Sequence, residues 1–405
     1  MKTVGIIGAG ASGMMAAITA ARAGAAVLLI EHRPQIGKKI LSTGNGRCNF
    51  TNTFQDPSCY RSDNPDFAKT ILSQFTSQDA IAFFLKLGIY SKNRNGYIYP
   101  YSDQASAVLE VLQQELERLQ VTILTETETR SVSCGKKGFS IQTGHEILHC
   151  DRLILAAGGK AASVTGSDGS GYDLAKQLDH HLVPVLPSLV QLHCAETCYK
   201  QLAGIRVQGS VAILVDGIIQ GQDTGEIQLT KYGISGIPVF QVSRFAARGL
   251  YERKKVEAVL DFMPDFSDEG LTAFLGVRIK NQPEKTMKHF FTGLYHPKLA
   301  GTFLRLCRIP ETKRACELTG VEIASLTEKI KHFCTVITKT NPFENAQVCA
   351  GGVDTVEINA ETMESNIVPG LFFAGELVDV DGICGGYNLQ WAWSSGYVAG
   401  REAAK

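Results

Sequence analysis

Short apolar runs near the start of the chain flank an alanine-rich stretch, which is the pattern of a parallel β–α–β unit. Residues 4–7 and 26–30 are continuous apolar runs of strand length, as expected for strands buried on both faces of a parallel sheet. Residues 14–23 lie between them, contain no helix breaker and end at Gly24, so they predict a helix.

The rest of the chain divides into helical and strand-like patterns. Helical patterns at 67–87 and 105–119 are followed by an alternating stretch at 121–150, which predicts a small meander. An apolar run at 211–215, the pair Asp216-Gly217 and two isoleucines predict a β-hairpin. Residues 265–330 are polar and helical in pattern.

Length and composition indicate a soluble protein with more than one domain. A single core rarely grows beyond about 300 residues, and this chain has 405. Apolar residues make up 44% of it, and no run is long enough to predict a membrane span. The 40 basic residues balance the 40 acidic ones, so no broad basic face is available to neutralise phosphates. We therefore expect neither a membrane nor a nucleic acid as partner.

The eleven cysteines form no C-x-x-C pair, and their number is odd. This pattern predicts reduced thiols and a cytoplasmic protein. His193, Cys194 and Cys198 lie close together in sequence, but no second ligand pair follows at a usual spacing. No metal site is predicted.

The first predicted turn has the spacing G-x-G-x-x-G, at Gly8, Gly10 and Gly13. Gly8 permits a tight turn, Gly10 lets a pyrophosphate approach the backbone, and Gly13 lets helix and strand pack closely. The start of the helix offers unpaired N–H groups to phosphates. Glu31 ends the second predicted strand, where a carboxylate can accept hydrogen bonds from ribose hydroxyls. This unit predicts a dinucleotide, NAD or FAD.

Later segments favour FAD over NAD. Residues 151–159 read as a strand that runs into Gly158 and Gly159, a crossing common in flavoproteins. Residues 370–376 read as another buried strand that ends in glycine and Glu376. The glycine-rich loop at 382–386 leads into a helix predicted to start at Asn388, whose N-terminus would stabilise a reduced flavin. We expect the two ends of the chain to close one FAD site.

Two long motifs give the chain a family resemblance. LSTGNGRCNFTN at 41–52 and AGELVDVDG with GGYNLQWAWSSG at 374–396 resemble the HI0933/YhiN-like flavoproteins, which include aminoacetone oxidases and BaiN-type enzymes of bile-acid metabolism. Residues 229–238 and 350–353 match as well. The resemblance covers essentially the whole chain.

The resemblance implies an α/β fold with a Rossmann-like FAD-binding domain of the two-dinucleotide-binding type. It also implies an inserted β-barrel-like and helical domain. We place the FAD domain at 1–190 and 340–405, the barrel-like part at 191–260 and 326–339, and the helical subdomain at 261–325.

Motifs and resemblance together predict the cofactor site. The predicted cofactor residues are Gly8, Gly10, Ala11, Ser12, Gly13, Glu31, His32, Lys39, Gly44, Asn45, Gly46, Arg47, Cys48, Asn49, Thr129, Ala157, Gly158, Gly375, Glu376, Asp381, Gly385, Gly386, Asn388 and Leu389.

The resemblance brings no settled catalytic residue, so the candidates come from the motifs. Tyr387 and Tyr232 are possible proton donors to a substrate. Cys48 is a possible redox thiol, although packing beside the cofactor is the simpler role for it.

The preferred hypothesis is an FAD-dependent oxidoreductase that reduces an activated C=C bond of a small organic molecule. NAD(P)H is the expected transient reductant. The alternatives are an amine oxidase that uses O₂, a tRNA-modifying flavoprotein, and a flavin-binding sensor without turnover. The oligomeric state is left open.

Overall fold

The computed structural model describes all 405 residues, Met1–Lys405. The chain forms two compact units, one of residues 1–186 and 347–405 and the other of residues 187–346. The division expected from the sequence lay at 190 and 340, within a few residues of these limits.

The elements are numbered in chain order. The strands up to residue 188 are β1 Thr3–Ile7, β2 Ala26–Ile30, β3 Thr51–Asn52, β4 Tyr60–Arg61, β5 Ser91–Arg94, β6 Tyr97–Pro100, β7 Thr122–Leu124, β8 Thr129–Gly135, β9 Gly138–Thr143, β10 Ile147–Cys150, β11 Arg152–Leu155 and β12 Leu182–Ser188. The helices of this part are α1 Ala11–Arg22, α2 Lys38–Ser42, α3 Pro65–Gln74, α4 Ser77–Lys86, α5 Ala105–Arg118 and α6 Ser170–Gln177.

The second unit and the C-terminal return contain the remaining elements. The strands are β13 Leu192–Cys194, β14 Arg206–Val215, β15 Ile218–Thr230, β16 Gly233–Ser235, β17 Val256–Asp261, β18 Phe333–Thr340, β19 Val348–Val353, β20 Leu371–Phe373 and β21 Asp381–Gly382. The helices are α7 Tyr199–Leu202, α8 Ile237–Tyr251, α9 Asp268–Asn281, α10 Met287–Phe290, α11 Pro297–Leu306, α12 Gly320–Lys331 and α13 Tyr387–Ala403.

A five-stranded parallel sheet forms the centre of the first unit, in the order β20-β11-β1-β2-β7. The residues of β1, β11 and β20 are mostly buried, because α1 and α13 pack against these strands and side chains of β9 and β10 contact Gly5. This burial agrees with the apolar runs in the sequence. The C-terminal strand β20 is therefore hydrogen-bonded into the sheet that the N-terminus begins. The meander β8–β9–β10 follows β7, in agreement with the alternating pattern at 121–150.

Three helix predictions need correction. The stretch at 67–87 forms two helices, α3 and α4, because Thr76 caps the second one. The Thr76 hydroxyl accepts a hydrogen bond from the Asp79 N–H, and the Asp79 carboxylate accepts one from the Thr76 N–H. The first helix begins at Ala11, inside the glycine-rich turn, and α13 begins at Tyr387, one residue before the predicted start.

The second unit is a closed antiparallel barrel in the order β13-β16-β15-β14-β17-β18, followed in the chain by α9–α12 before β18 returns. The predicted hairpin is confirmed, with Val215 paired to Ile218 across Asp216 and Gly217. Both turn residues have positive φ, 50° and 81°, as a tight two-residue turn requires. The barrel interior is lined by apolar side chains that alternate along β14 and β17.

Helices α1 and α13 pack closely in the first unit because small residues face each other. A Cβ added to Gly396 would lie 2.4 Å from the carbonyl oxygen of Ser12, and one added to Gly400 would lie 2.3 Å from that of Ala16. Only glycine permits this approach of two backbones. None of the helices in the chain combines the length and the apolar composition that crossing a lipid bilayer requires.

Candidate active site at the N-terminal turn

The three glycines of the first turn have different surroundings. Gly8 has φ +101°, and a Cβ there would lie 2.5 Å from the carbonyl oxygen of Ala156. A Cβ at Gly13 would lie 1.8 Å from the carbonyl oxygen of Gly8. A Cβ at Gly10, in contrast, would meet nothing within 4 Å. Gly8 and Gly13 are therefore needed for the fold itself, whereas Gly10 leaves one side of the turn open.

The N-terminus of helix α1 lies at this open side of the turn. Its cap, Gly10, has no side chain to bond the first-turn N–H groups, and the first turn contains no acid. The first backbone hydrogen bond of the helix runs from the Met14 N–H to the Gly10 carbonyl, at 2.9 Å. The N–H groups of Ala11, Ser12 and Gly13 therefore remain available to an anion, which the helix dipole also favours.

Glu31 lies at the end of β2 beside this turn. Its carboxylate accepts hydrogen bonds from the N–H of Ala9 at 3.0 Å and from the N–H of Arg33 at 2.9 Å. The His32 Nδ1 atom lies 3.3 Å from the same carboxylate. A hydrogen bond from the N–H of Ala9 thus links the glycine turn to Glu31, the acid predicted to recognise a ribose.

Thr129 begins the strand β8 near Glu31. Two residues earlier, the N–H of Thr127 donates to the carbonyl oxygen of Glu31 at 3.0 Å. The hydroxyl of Thr129 is buried and has no hydrogen-bond partner. The segment that leads into β8 is therefore hydrogen-bonded to the backbone of Glu31.

The loop from Gly44 to Asn49 is held in a left-handed conformation. Gly44, Asn45, Gly46 and Cys48 all have φ between 55° and 82°. Asn49 is 8% exposed, and its Oδ1 atom has no hydrogen-bond partner. A buried acceptor without a donor is costly unless a ligand supplies one.

The C-terminal glycines lie against this loop. A Cβ at Gly386 would lie 3.0 Å from the free Asn49 Oδ1 atom. The Nδ2 atom of Asn52 donates to the carbonyl oxygen of Gly385 at 3.0 Å. Gly386 caps α13 with φ +95° and, like Gly10 on α1, leaves the first turn of its helix without a side-chain cap. Two long-separated motifs therefore form one surface.

Asn388, Leu389 and Asp381 support the second helix start. The Asn388 side chain accepts from the N–H of Gly382 and donates to its carbonyl oxygen, both at 2.8 Å. Leu389 is half-buried in the first turn of α13, and Asp381 is 1% exposed in β21, which pairs with β4. The Asn388 side chain therefore holds the glycine loop in place through both backbone groups of Gly382.

The end of β20 meets the start of α1. Gly375 has φ +74°, and a Cβ there would lie 2.4 Å from the Ser12 Oγ atom. The indole N–H of Trp391 donates to the Gly375 carbonyl oxygen at 3.0 Å, and the Gly375 N–H donates to Ser395 at 2.9 Å. The tryptophan and serine of α13 thus hold the C-terminal strand against the N-terminal helix.

An ion pair joins two further predicted residues. The Nζ atom of Lys39 lies 2.6 Å from the carboxylate of Glu376, and it also donates to the carbonyl oxygen of Ala161 at 3.3 Å. The other oxygen of Glu376 accepts from the N–H of Cys349 at 2.8 Å. Ala157 and Gly158 follow the end of β11, and the φ of Gly158 is +74°.

The sequence did not single out the side chains of Tyr172 and Cys349 as neighbours of this ion pair. A Cβ at Gly159 would lie 3.0 Å from both the Tyr172 hydroxyl oxygen and the Cys349 Sγ atom, and 3.1 Å from the Glu376 carboxyl carbon. Burial and, to a smaller extent, the charge of Glu376 raise the pKa of Cys349 to about 12, so this thiol stays protonated. The only hint was the position of Cys349 directly before the motif at 350–353.

Cys48 is completely buried beside the cofactor loop. Burial raises the pKa of its thiol to about 12, although a hydrogen bond with Thr43 opposes the shift. A thiol that remains protonated is a poor nucleophile, so the structure favours a packing role for Cys48.

We therefore expect Cys48→Ala to change turnover by less than about threefold. In the native protein, iodoacetamide should modify the exposed Cys134 and leave Cys48 unmodified at neutral pH. Peptide mass spectrometry of the labelled protein checks this, and rapid labelling of Cys48 with loss of activity would restore the redox-thiol hypothesis.

Tyr387 is 4% exposed and lies in an aromatic cluster at the start of α13. Its ring packs edge to face against Tyr60, with centroids 5.6 Å apart. Burial raises the pKa of Tyr387, and the neighbouring Cys59 raises it further. The phenol therefore stays protonated throughout the physiological pH range.

Tyr232, the third catalytic candidate, lies in the second unit within a polar cluster. The His193 ring stacks on the Tyr232 ring at 4.3 Å, and the His193 Nε2 atom lies 2.6 Å from Asn341 Oδ1. Asn341 Nδ2 donates to the Tyr232 oxygen at 3.1 Å and to Gln191 at 3.2 Å. Because the Tyr232 oxygen accepts within the cluster, its own hydrogen remains free to donate.

Three observations show that the first unit fits a dinucleotide. The turn is open at Gly10, two helices begin without side-chain caps or first-turn acids, and the buried Asn49 Oδ1 atom has no donor. All the predicted cofactor residues lie in the unit that contains these features, as does Tyr387. Tyr232 alone among the candidates belongs to the other unit.

Comparisons with known proteins agree with the fold. The model of the HI0933-like protein Rossmann domain matches residues 2–402. The chain is 47% identical to the 3-dehydro-bile acid delta(4,6)-reductase of Clostridium scindens, with 100% of both chains covered. It is 32% identical to the ribosomal RNA dihydrouridine synthase of Escherichia coli, covering 98% of this chain and 96% of that protein.

A solved structure shows the same fold at much lower identity. The 3-ketosteroid delta1-dehydrogenase from Sterolibacterium denitrificans is 10% identical, with a TM-score of 0.50 and 100% of both chains covered. The family match extends over nearly the whole chain, and both curated relatives exceed 30% identity along almost their full length. The chain belongs to the HI0933-like family and is an FAD-dependent oxidoreductase.

Proposed function

We propose that the open turn and the C-terminal loop hold one FAD molecule. The N–H groups at the start of α1 would bind its pyrophosphate, Glu31 its ribose, and the loops around Asn49 and Gly386 its ring system. Apart from Arg47, whose side chain is exposed, the cofactor residues predicted from the sequence, from Gly8 to Leu389, make up this proposed site. Bound FAD supplies hydride transfer, which no side chain of the protein can perform.

We further propose that the chain reduces a C=C bond conjugated to a carbonyl group in a small organic molecule. The observation that carries this proposal is the 47% identity, over the full length, with a reductase whose name specifies such a substrate. A 3-oxo group conjugated to 4,6 double bonds accepts hydride readily, because the carbonyl oxygen takes up the negative charge. The zero net charge of the chain also suits a small molecule.

NAD(P)H is the proposed source of electrons. The parallel sheet of the first unit is the one Rossmann-type sheet of the fold, and the second unit is an antiparallel barrel. A nicotinamide cofactor would therefore bind transiently rather than in a separate Rossmann domain. A cytoplasmic location is part of the proposal, and the eleven free cysteines support it.

A second candidate substrate is a uridine of ribosomal RNA. The relatives from Escherichia coli and Haemophilus influenzae are named ribosomal RNA dihydrouridine synthases, each 32% identical. Making dihydrouridine also reduces a C=C bond conjugated to a carbonyl, so the chemistry is of the same kind. Amine oxidation and methyl transfer to tRNA have less support, because none of these three relatives has such a name.

An anaerobic reductive assay separates the candidates. We expect NADH or NADPH to bleach the flavin, and a 3-oxo-4,6-diene bile acid to restore its colour with loss of the diene absorbance. Colour restored by unmodified ribosomal RNA alone would favour the second candidate. Bleaching by small amines alone, with recovery in O₂, would favour an oxidase and contradict the proposal.

Tyr232 is the proposed proton donor, since its hydroxyl hydrogen is free while Asn341 holds the oxygen in place. Removing a general acid typically costs a factor of 10²–10⁴. We expect Tyr232→Phe to slow substrate reduction by about 100-fold while FAD content and flavin reduction by NAD(P)H stay normal.

Tyr251→Phe is the matched control for this variant, because Tyr251 is 59% exposed at the end of α8 in the same unit. Stopped-flow traces of the two half-reactions make the measurement. If Tyr232→Phe reduces substrate at the normal rate, Tyr387 becomes the remaining tyrosine candidate.

A further inference from the structure

The hairpin of β5 and β6 presents one aromatic and basic face. Tyr97 and Tyr99 alternate with the buried Ile98, so both rings lie on the same side of β6. Their partners across the hairpin are Arg94 and Lys92, respectively. Tyr97 belongs to the first unit, and its side chain is 41% exposed. We name this set of four residues the hairpin face.

The hairpin face adjoins both loops that are proposed to hold the flavin ring. The Cε1 atom of Tyr97 is 2.9 Å from the position that a Cβ of Gly385 would occupy. The Cε1 atom of Tyr99 is 3.5 Å from that of Gly44. The exposed part of Tyr97 therefore borders the proposed cofactor site directly.

The charges of this region do not balance. The Arg94 guanidinium lies 5.4 Å from the Tyr99 ring centroid. Asp103 accepts hydrogen bonds from both Arg94, at 2.7 Å, and Lys92, so two cations share one carboxylate. Arg47, on the cofactor loop, is exposed and has no carboxylate within 4 Å. The loop that carries Arg47 meets the hairpin face at Gly44, where an added Cβ would lie 3.5 Å from the Cε1 atom of Tyr99.

We propose that the hairpin face and Arg47 form the recognition site for an anionic, flat substrate. The Tyr97 ring would stack on a conjugated ring system, and Arg47 and Arg94 would bind a carboxylate on the same molecule. This inference rests on the proposed function, since it assigns the substrate class of the same flavin site. A single carboxylate matches the small excess of positive charge better than the many phosphates of an RNA strand.

Substrates that differ only in charge test the inference. The probes are a 3-oxo-4,6-diene bile acid and its uncharged primary amide, with the double variant Arg47→Gln/Arg94→Gln. We expect the KM of the acid to rise by about 10- to 100-fold, the KM of the amide by less than about threefold, and kcat to stay within about twofold. Tyr97→Ala should raise both KM values by about 3- to 10-fold.

Lys69→Gln/Lys86→Gln is the charge-matched control, because both lysines are exposed on α3 and α4 of the same unit. Binding can also be measured without turnover, by calorimetry of the oxidised holoprotein with the saturated 3-oxo bile acid and its amide. The double variant should bind the acid about 10- to 100-fold more weakly than the wild type does and should bind the amide with nearly unchanged affinity. Equal KM changes for acid and amide would overturn the inference while leaving the proposed function intact. A wild-type protein that reduces neither probe would overturn both the inference and the proposed function. If the double variant lost only its binding to ribosomal RNA, the hairpin face would be assigned to RNA and the inference would be wrong.

Discussion

Replacing Gly10 with aspartate should lower the affinity for FAD by at least about 100-fold, or about 2.7 kcal/mol, without unfolding the protein. A Cβ at Gly10 meets nothing within 4 Å, and the φ of this residue is −81°, so the side chain itself fits the flavin-free fold. The new carboxylate would stand at the start of α1, where the pyrophosphate is proposed to bind. Two negative groups cannot share one helix N-terminus without strong repulsion.

Ala23→Asp is the matched control, because it adds the same charge at the other end of α1, at an exposed position. We expect it to retain FAD, with a stability change below about 1 kcal/mol from the helix dipole. Fluorescence titration of the flavin-stripped variants gives the affinities, and thermal unfolding without FAD checks the fold. Normal FAD binding by Gly10→Asp would show that the pyrophosphate does not bind at this turn.

Replacing Gly400 with alanine should destabilise the first unit by about 3 kcal/mol and reduce its FAD content. The new methyl group would lie 2.3 Å from the carbonyl oxygen of Ala16, so α1 and α13 would have to separate. Gly396→Ala should have a similar effect, since its Cβ would lie 2.4 Å from the carbonyl oxygen of Ser12. Separation of the helices would also displace Gly375 from Ser12 and disturb the FAD site.

A second glycine-to-alanine change controls for helix propensity. Gly276 lies within α9, where a Cβ would meet nothing within 4 Å. Gly276→Ala should stabilise the protein by up to about 1 kcal/mol, because alanine favours the helix more than glycine does. Denaturant unfolding followed by tryptophan fluorescence reports on the first unit, which contains Trp391 and Trp393, and circular dichroism at the helix band also reports on the second unit, which contains Gly276. If Gly400→Ala proves as stable as Gly276→Ala, the two helices do not pack as closely as described.

Local patterns in the sequence predicted the local part of the fold. The first strand, the glycine turn, the helix and the acid at Glu31 lie within about thirty residues, and each has a spacing with a direct physical cause. The hairpin at Asp216 and Gly217 was likewise predicted from its local pattern and confirmed. The break between α3 and α4 was missed because the helical pattern continues through Thr76. The capping box of Thr76 and Asp79 nevertheless starts a new helix there.

Contacts between residues far apart in the chain could be predicted from the sequence only in part. Family resemblance placed the loops of Gly44–Asn49 and Gly385–Leu389 in one site, but neither loop shows from its own pattern that it touches the other. The cluster of His193, Tyr232 and Asn341 joins residues 148 positions apart, and no spacing indicates it. Such clusters depend on which strands close the barrel, and strand pairing over long separations leaves no local signal.

The most direct test of the central claim is amide hydrogen exchange of the flavin-stripped protein with and without added FAD. If both ends of the chain form one FAD site, FAD should slow exchange together in three separate segments, residues 8–13, 44–49 and 385–389, at one equivalent of cofactor. Protection limited to the N-terminal segment, or no protection in either terminal segment, would contradict the account.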